Sequence, residues 1–322
     1  MALKIGFVGT GGIARRHFQA LEEIPEAQIV ACTDVDADRA AEAAARFAGA
    51  AACTHHADML EEQELDAAFV CLPPHVHGEV ELALIDEGIP FFVEKPLAND
   101  LETAERIMSA LEGTDLITSV GYMMRYRDNA RRLKEHLADD PPVVARGAYL
   151  CGVPGVPWWR RKEQSGGQIV EQSTHVFDLA RYLFGEVQSV FCTARRGMIQ
   201  EVPDYTADDA SVCALKFESG LLCTITSSCA VKKGEISMEV FTREARAALE
   251  GGDLALTLSV GGETHRYSSE EDAFVREDRA FIEAVVSGDR SAIESPYQDA
   301  LRTQMVTCAA NESMESGEPV QP

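Results

Sequence analysis

Basic side chains are in short supply in this sequence: 29 Lys and Arg stand against 53 Asp and Glu, a net charge of −24. A field of that sign repels phosphate backbones and anionic headgroups, so neither nucleic acid nor a membrane surface is expected as a partner. Long apolar runs are missing as well. No stretch approaches the roughly eighteen residues of a membrane span, and the opening MALKIGFVGTGG leads into a strand and a glycine loop rather than reading as a secretory signal. Paired thiols are absent: the nine Cys show no C-x-x-C spacing, and their odd number reads as reduced thiols in a cytoplasm. Internal repeats and low-complexity segments are lacking too, and only the last residues, ESGEPVQP, are expected to be disordered.

What is present is a chain of 322 residues, long for one core. Up to residue 122, apolar runs at 3–9, 27–34, 66–73, 89–96 and 116–122 alternate with helical patterns at 12–24, 36–48, 76–87 and 100–112. Near-continuous apolar strands alternating with helices predict a parallel sheet covered on both faces. Beyond it, one helical stretch at 168–184 precedes strand-like segments between 187 and 262, set apart by turns such as Ser219-Gly220, Gly251-Gly252 and Gly261-Gly262. Helices at 273–287 and 296–315 close the chain. The expected fold class is α/β, with a dinucleotide-binding Rossmann domain over 1–122. An α+β domain with a mostly antiparallel open sheet follows over 123–322, and its terminal helix is expected to pack back on the first domain.

KIGFVGTGGIARRH places Gly9-x-Gly11-x-x-Ala14 between a strand and a helix. Gly9 permits the tight turn, Gly11 lets backbone approach a pyrophosphate, and Ala14 keeps the helix close to the sheet. Thr10, Gly12 and Ile13 complete the loop, whose amides at the helix start face the phosphates. The next strand ends in Asp34, twenty residues after Ala14, placed to bond the adenosine ribose hydroxyls. A 2′-phosphate would be repelled there, and Arg39 is expected to face Asp36 or solvent. The expected cofactor is NAD rather than NADP.

The run FFVEKP ends a buried strand in Glu94, Lys95 and Pro96, beside the crevice where such sheets bind ligands. Further on, SGGQIVEQSTHVFDLARYLFG reads as a helix with Glu171, His175 and Asp178 on one face. A Glu–His pair behind a glycine turn can serve as an oriented proton acceptor or as a structural pair. Together with Pro73-Pro74-x-x-His77, these segments resemble the Gfo/Idh/MocA oxidoreductases over essentially the whole chain. The resemblance implies that Lys95 reaches the nicotinamide and the substrate hydroxyl, that His175 is the general base, and that Glu171 supports the proton transfer and contacts substrate. Many polyol-oxidising members carry Asp where this chain has Glu171. Cofactor contacts from Leu72, Pro73, His77 and Glu94 are implied as well, with Arg125 near the substrate.

Trp158 and Trp159, the only tryptophans, stand in GVPGVPWWRRKEQSGG and read either as core or as a substrate cap, with Trp159 the expected contact. His55-His56 and His75-x-His77 lack companion ligands at metal spacing, so no metal is expected. The expected activity is oxidation of a secondary hydroxyl of a sugar, cyclitol or related polyol, by a homodimer or homotetramer in the cytoplasm. Two rivals stay open: an NAD-using glycosidase acting by transient oxidation at C3, and a catalytically silent NAD-binding sensor or repressor.

Overall fold

The computed structural model describes residues 2–322. The first sheet has the order β3-β2-β1-β4-β5-β6, every pair parallel. Its strands are β1 (Leu3–Val8), β2 (Ala27–Thr33), β3 (Ala51–Cys53), β4 (Ala67–Val70), β5 (Phe91–Val93) and β6 (Thr118–Val120). Helices α1 (Gly12–Leu21), α2 (Ala37–Ala44), α3 (His56–Glu62), α4 (Glu79–Asp86) and α5 (Leu101–Leu111) connect them. Register sets the core: Phe7, Phe69 and Phe92 are successive cross-strand partners on β1, β4 and β5. Their rings stack 5.0 and 4.9 Å apart. Phe18 on α1 meets Phe7 edge-on at 4.6 Å.

The chain continues with α6 (Asp128–Asp139), β7 (Val144–Leu150), a single turn α7 (Lys162–Ser165) and α8 (Thr174–Phe184). The second sheet is completed by β8 (Val187–Arg195), β9 (Ala210–Phe217), β10 (Leu222–Ser228), β11 (Glu235–Phe241), β12 (Ala245–Glu250), β13 (Ala255–Val260) and β14 (Glu263–Tyr267). Its order is β14-β13-β12-β11-β7-β10-β9-β8, antiparallel except at the β7–β10 seam. Helix α8 packs on β7 and β11 and covers one face. The other face leaves Phe191, Val212, Leu222 and Val144 exposed. Two helices close the chain, α9 (Ala273–Ser287) and α10 (Tyr297–Ser316).

Two compact units result, and their bounds differ from a single cut after residue 122. Unit one is Met1–Ala98, Glu102–Met123 and Asp272–Ala300; unit two is Asn99–Leu101, Met124–Glu271 and Leu301–Pro322. The reason is packing: α9 lies on α1 and contributes Phe281, Ile282 and Ala284 to the first core. Of α10, expected to return to the first domain, only Tyr297–Ala300 group there, and the Tyr297 hydroxyl donates to the Ala104 carbonyl at 3.2 Å. Residues expected to be disordered at the C-terminus are pinned, since Val320 exchanges hydrogen bonds with Val190. The reduced-thiol expectation is corrected at one pair: Cys192 and Cys213 are register partners on β8 and β9 and are joined in a disulfide. Seven other Cys are free thiols. Among the described residues no helix is long and apolar enough to cross a membrane.

Phe69 is fully buried between two stacked rings. Its truncation to Ala should lower stability by about 3 to 5 kcal/mol, read by denaturant unfolding.

Candidate active site

The nucleotide end is built at the tip of β1. Gly9 has φ +89°, and a Cβ there would strike the carbonyl of Cys71, so only glycine fits. The Leu72 side chain lies against the same position. At Gly11 and Gly12 nothing stands within 4 Å of where a Cβ would be. Backbone therefore borders open space at the start of α1, where orphan amides and the helix dipole favour an anion. These residues fit a bound dinucleotide. Ile13 begins the buried side of α1 and packs against the first core.

Asp34, at the end of β2, is buried and surrounded by donors. Its Oδ2 accepts from Thr10 N at 3.1 Å and Thr10 Oγ1 at 2.9 Å. Its Oδ1 accepts from Asp36 N at 3.0 Å and from Arg39 Nε and Nη2 at 3.1 and 2.6 Å. Burial resists ionisation of this carboxyl, but the bonds from Arg39, Asp36 and Thr10 outweigh it and hold its pKa below the usual carboxylate range. Arg39 thus engages Asp34 itself, rather than only Asp36 or solvent. Its side chain is half exposed, and a cavity of about 80 Å³ bounded by Thr10, Arg15, Arg39 and Glu42 adjoins it. A ribose diol reaching Asp34 must compete with that guanidinium.

Behind β4, His77 is buried with Nδ1 2.5 Å from Glu81 Oε1 and Nε2 3.2 Å from the Leu72 carbonyl. Glu81 also accepts from Gly78 N at 2.7 Å. Burial resists ionisation of Glu81, yet His77 and these amides lower its pKa. His77, implied as a cofactor contact, here braces the Leu72-Pro73 turn through Nε2 while Glu81 holds its Nδ1. After β5, Glu94 Oε2 accepts from Lys95 N at 3.1 Å, and the Lys95–Pro96 peptide is cis.

In the second unit, Gly166 and Gly167 have φ +74° and +83°. A Cβ on Gly166 would sit 2.7 Å from Val170 and 2.9 Å from the Asn99 carbonyl. The expected continuous helix at 168–184 is instead a π-helical turn, Ile169–Ser173, running into α8. Such turns widen the backbone and recur at functional sites. Glu171 lies in the π turn and His175 in the first turn of α8. Trp159 is fully buried beside Ala207 and Cys229, and its indole N–H donates to Glu171 Oε2. It supports Glu171 from the core, one of the two readings the sequence left open.

Arg125, implied near substrate, is also buried here. Its Nε donates to Asp178 Oδ2 at 2.8 Å and its Nη2 to Oδ1 at 2.6 Å. Thr303 on α10 donates to the same Oδ1 at 2.8 Å and accepts from Arg181. Arg125 is thus tied to Asp178, which Thr303 also bonds. Thr303, His17 and Asp278 were not anticipated. His17 could have been found, because it follows Ala14 on the apolar side of α1; the other two carry no local signal.

Residues 3–122 match a family described as "Oxidoreductase family, NAD-binding Rossmann fold", and residues 141–272 match the GFO/IDH/MocA C-terminal domain. The chain is 28% identical to myo-inositol 2-dehydrogenase of Thermotoga maritima over 97% of this chain and 96% of that protein. It is 27% identical to scyllo-inositol 2-dehydrogenase (NAD(+)) of Bacillus subtilis, over 99% and 96%. Levoglucosan dehydrogenase in complex with NADH shares the fold with a TM-score of 0.91 at 19% identity, covering 100% of this chain and 99% of that one.

NADH should bind about tenfold tighter than NADPH, roughly 1.4 kcal/mol. Asp34→Ala should shrink that preference. Arg39→Ala should widen it, because a 2′-phosphate then meets the carboxylate without its guanidinium. Fluorescence titration decides; equal affinities in the unmodified protein would defeat the role given to Asp34.

Proposed function

Since the chain belongs to the Gfo/Idh/MocA oxidoreductases, which act on CH–OH groups with NAD, we propose that it is a dehydrogenase oxidising a secondary hydroxyl of a cyclitol, sugar or related polyol. The end-to-end likeness to inositol dehydrogenases carries this reading. The built nucleotide end, with Gly9, the open Gly11-Gly12 backbone and Asp34, supports it. Bound NAD⁺ would supply the hydride acceptor. The protein's part is to orient the substrate and handle its proton.

In this reading His175 takes the hydroxyl proton as the carbinol hydrogen leaves as hydride. Lys95 stabilises the negative charge gathering on the oxygen with its ammonium. Glu171, gripped by the buried Trp159 indole, keeps a carboxylate in the turn before His175. A cytoplasmic setting agrees with the seven free thiols, with the Cys192–Cys213 bridge as the exception to a reducing compartment.

We assign the uncovered face of the second sheet to self-association. Phe191 and Val212 on β8 and β9, with Leu222 and Val144 on β10 and β7, leave it partly apolar. Arg146 and Arg246 flank Glu239 in a charged ladder on the same face. Such a surface fits a second copy of itself better than solvent.

A polyol panel assayed for NADH formation is the direct test of the activity. With an active substrate in hand, Lys95→Met and His175→Ala should each lower kcat by on the order of 100-fold or more, while His175→Ala leaves NADH affinity nearly unchanged. Near-normal turnover in Lys95→Met would remove the lysine from the mechanism. For assembly, light scattering at micromolar concentration should give at least a dimer, and Val212→Arg should weaken it; a monomeric mass in the unmodified protein overturns the interface.

A further inference from the structure

One buried charged cluster takes no part in the reading above. His17 lies three residues past Ala14 on α1 and is fully buried. Its Nδ1 stands 2.9 and 3.0 Å from the two oxygens of Asp278 on α9, and its Nε2 stands 3.2 Å from Glu94 Oε1. A carboxylate can only accept, so a ring that faces one on each side must donate from both nitrogens. Burial opposes the resulting charge, but Asp278 and Glu94 outweigh it and hold the imidazole pKa well above its ordinary value. The rings of Phe69, Phe92 and Phe274 surround it at 5.5, 4.9 and 5.6 Å.

The other titratable groups around it are accounted for. Glu277 places a carboxylate oxygen within 4.8 Å of His17 and Glu94. Burial, with Glu94, Asp278 and Glu277 nearby, pushes the Cys71 thiol well above its ordinary range, and burial, with Asp272 adding to it, raises the pKa of Asp278. Glu94 then links the cluster to the strand end. One of its oxygens meets His17, and the other accepts the Lys95 N–H. Gly121, just after β6, makes the room, for a Cβ there would lie 2.6 Å from Glu94 Oε1.

We infer that His17 is a positioning residue: it fixes Glu94 and, through the bond from Lys95 N–H to Glu94 Oε2, the backbone that carries the Lys95 ammonium. The inference rests on the role proposed for Lys95. His17, Glu94 and Glu277 could be mistaken for a metal site, but an imidazole donating from both nitrogens has no lone pair left for an ion.

Two near-isosteric substitutions separate positioning from mere packing. The amide nitrogen of Gln at this position falls where Nε2 stands and can still donate to Glu94. That of Asn falls where Nδ1 stands and reaches only Asp278. His17→Gln should therefore keep kcat within about threefold, and His17→Asn should lower it by about tenfold or more, with a split that their thermal midpoints do not follow. Equal kcat in the two variants overturns the inference. Should either fail to fold, NMR of the unmodified protein decides: both ring nitrogens should remain protonated from about pH 6 to about pH 8, with the Lys95 amide protected from exchange. A neutral ring with that amide equally protected refutes it, as does a melting temperature raised by added Zn²⁺ or Mn²⁺. The two readings fail separately. Normal turnover in Lys95→Met removes the lysine's role, whereas an essential Lys95 with equal Asn and Gln variants removes only the role of His17.

Discussion

The nucleotide end depends on one close approach, that of Gly9 to the carbonyl of Cys71. Strands β1 and β4 are neighbours, and after β3 the chain crosses back to start β4 beside β1. That reversal opens a crevice at the carboxyl ends of the strands. The chain leaves β1 through a positive φ, so α1 starts immediately and at a fixed angle. Ala14, His17, Phe18 and Leu21 then all point inward. Thr10, carried on the same turn, reaches Asp34 with both its amide and its hydroxyl. A larger residue at Gly9 would disturb each of these contacts together.

Charge is used sparingly inside each unit. His77–Glu81 and His17–Asp278 are buried in the first, and Arg125–Asp178 in the second. Desolvating such pairs costs about as much as their attraction returns, so they are weak evidence for stability. What they do is fix geometry, because breaking one leaves a buried charge without a counterpart. Each also ties segments far apart in sequence, or a helix to the loop before it. The surface carries most of the acidic excess, where it repels polyanions and leaves neutral, hydroxyl-rich substrates unopposed.

Much of this was legible in the sequence, and the failures have physical reasons. The glycine loop, Asp34 and five strands of the first sheet are local patterns and formed where they were read, whereas the three-residue β3 and the short α3 after it were not read. Strand β7, VARGAYL, and helix α6 were missed. The first alternates small and exposed residues with little apolar signal, and the second is mostly charged. The π turn at Ile169–Ser173 cannot be told from an α-helix by apolar spacing alone. Trp159 read equally as core or as a substrate cap, and Arg125 was placed near substrate only by the family resemblance. Their partners, Glu171 and Asp178, lie 12 and 53 residues away, and only the folded chain pairs them.

Neither unit is continuous in the chain, which bears on how the protein is made. The first core includes Phe281, Ile282 and Ala284, which leave the ribosome long after its last strand, β6. The second sheet cannot close its β7–β10 seam until residues near 222–228 have emerged, and its unit also takes in Leu301–Pro322. During synthesis both cores therefore wait with apolar surface uncovered, a period in which chaperones have something to hold. A fragment cut after β6 would keep every residue of the glycine loop and still lack part of its own interior. For this chain, the nucleotide-binding unit is finished only once α9 has been made, long after its last strand, rather than as an early, independent product.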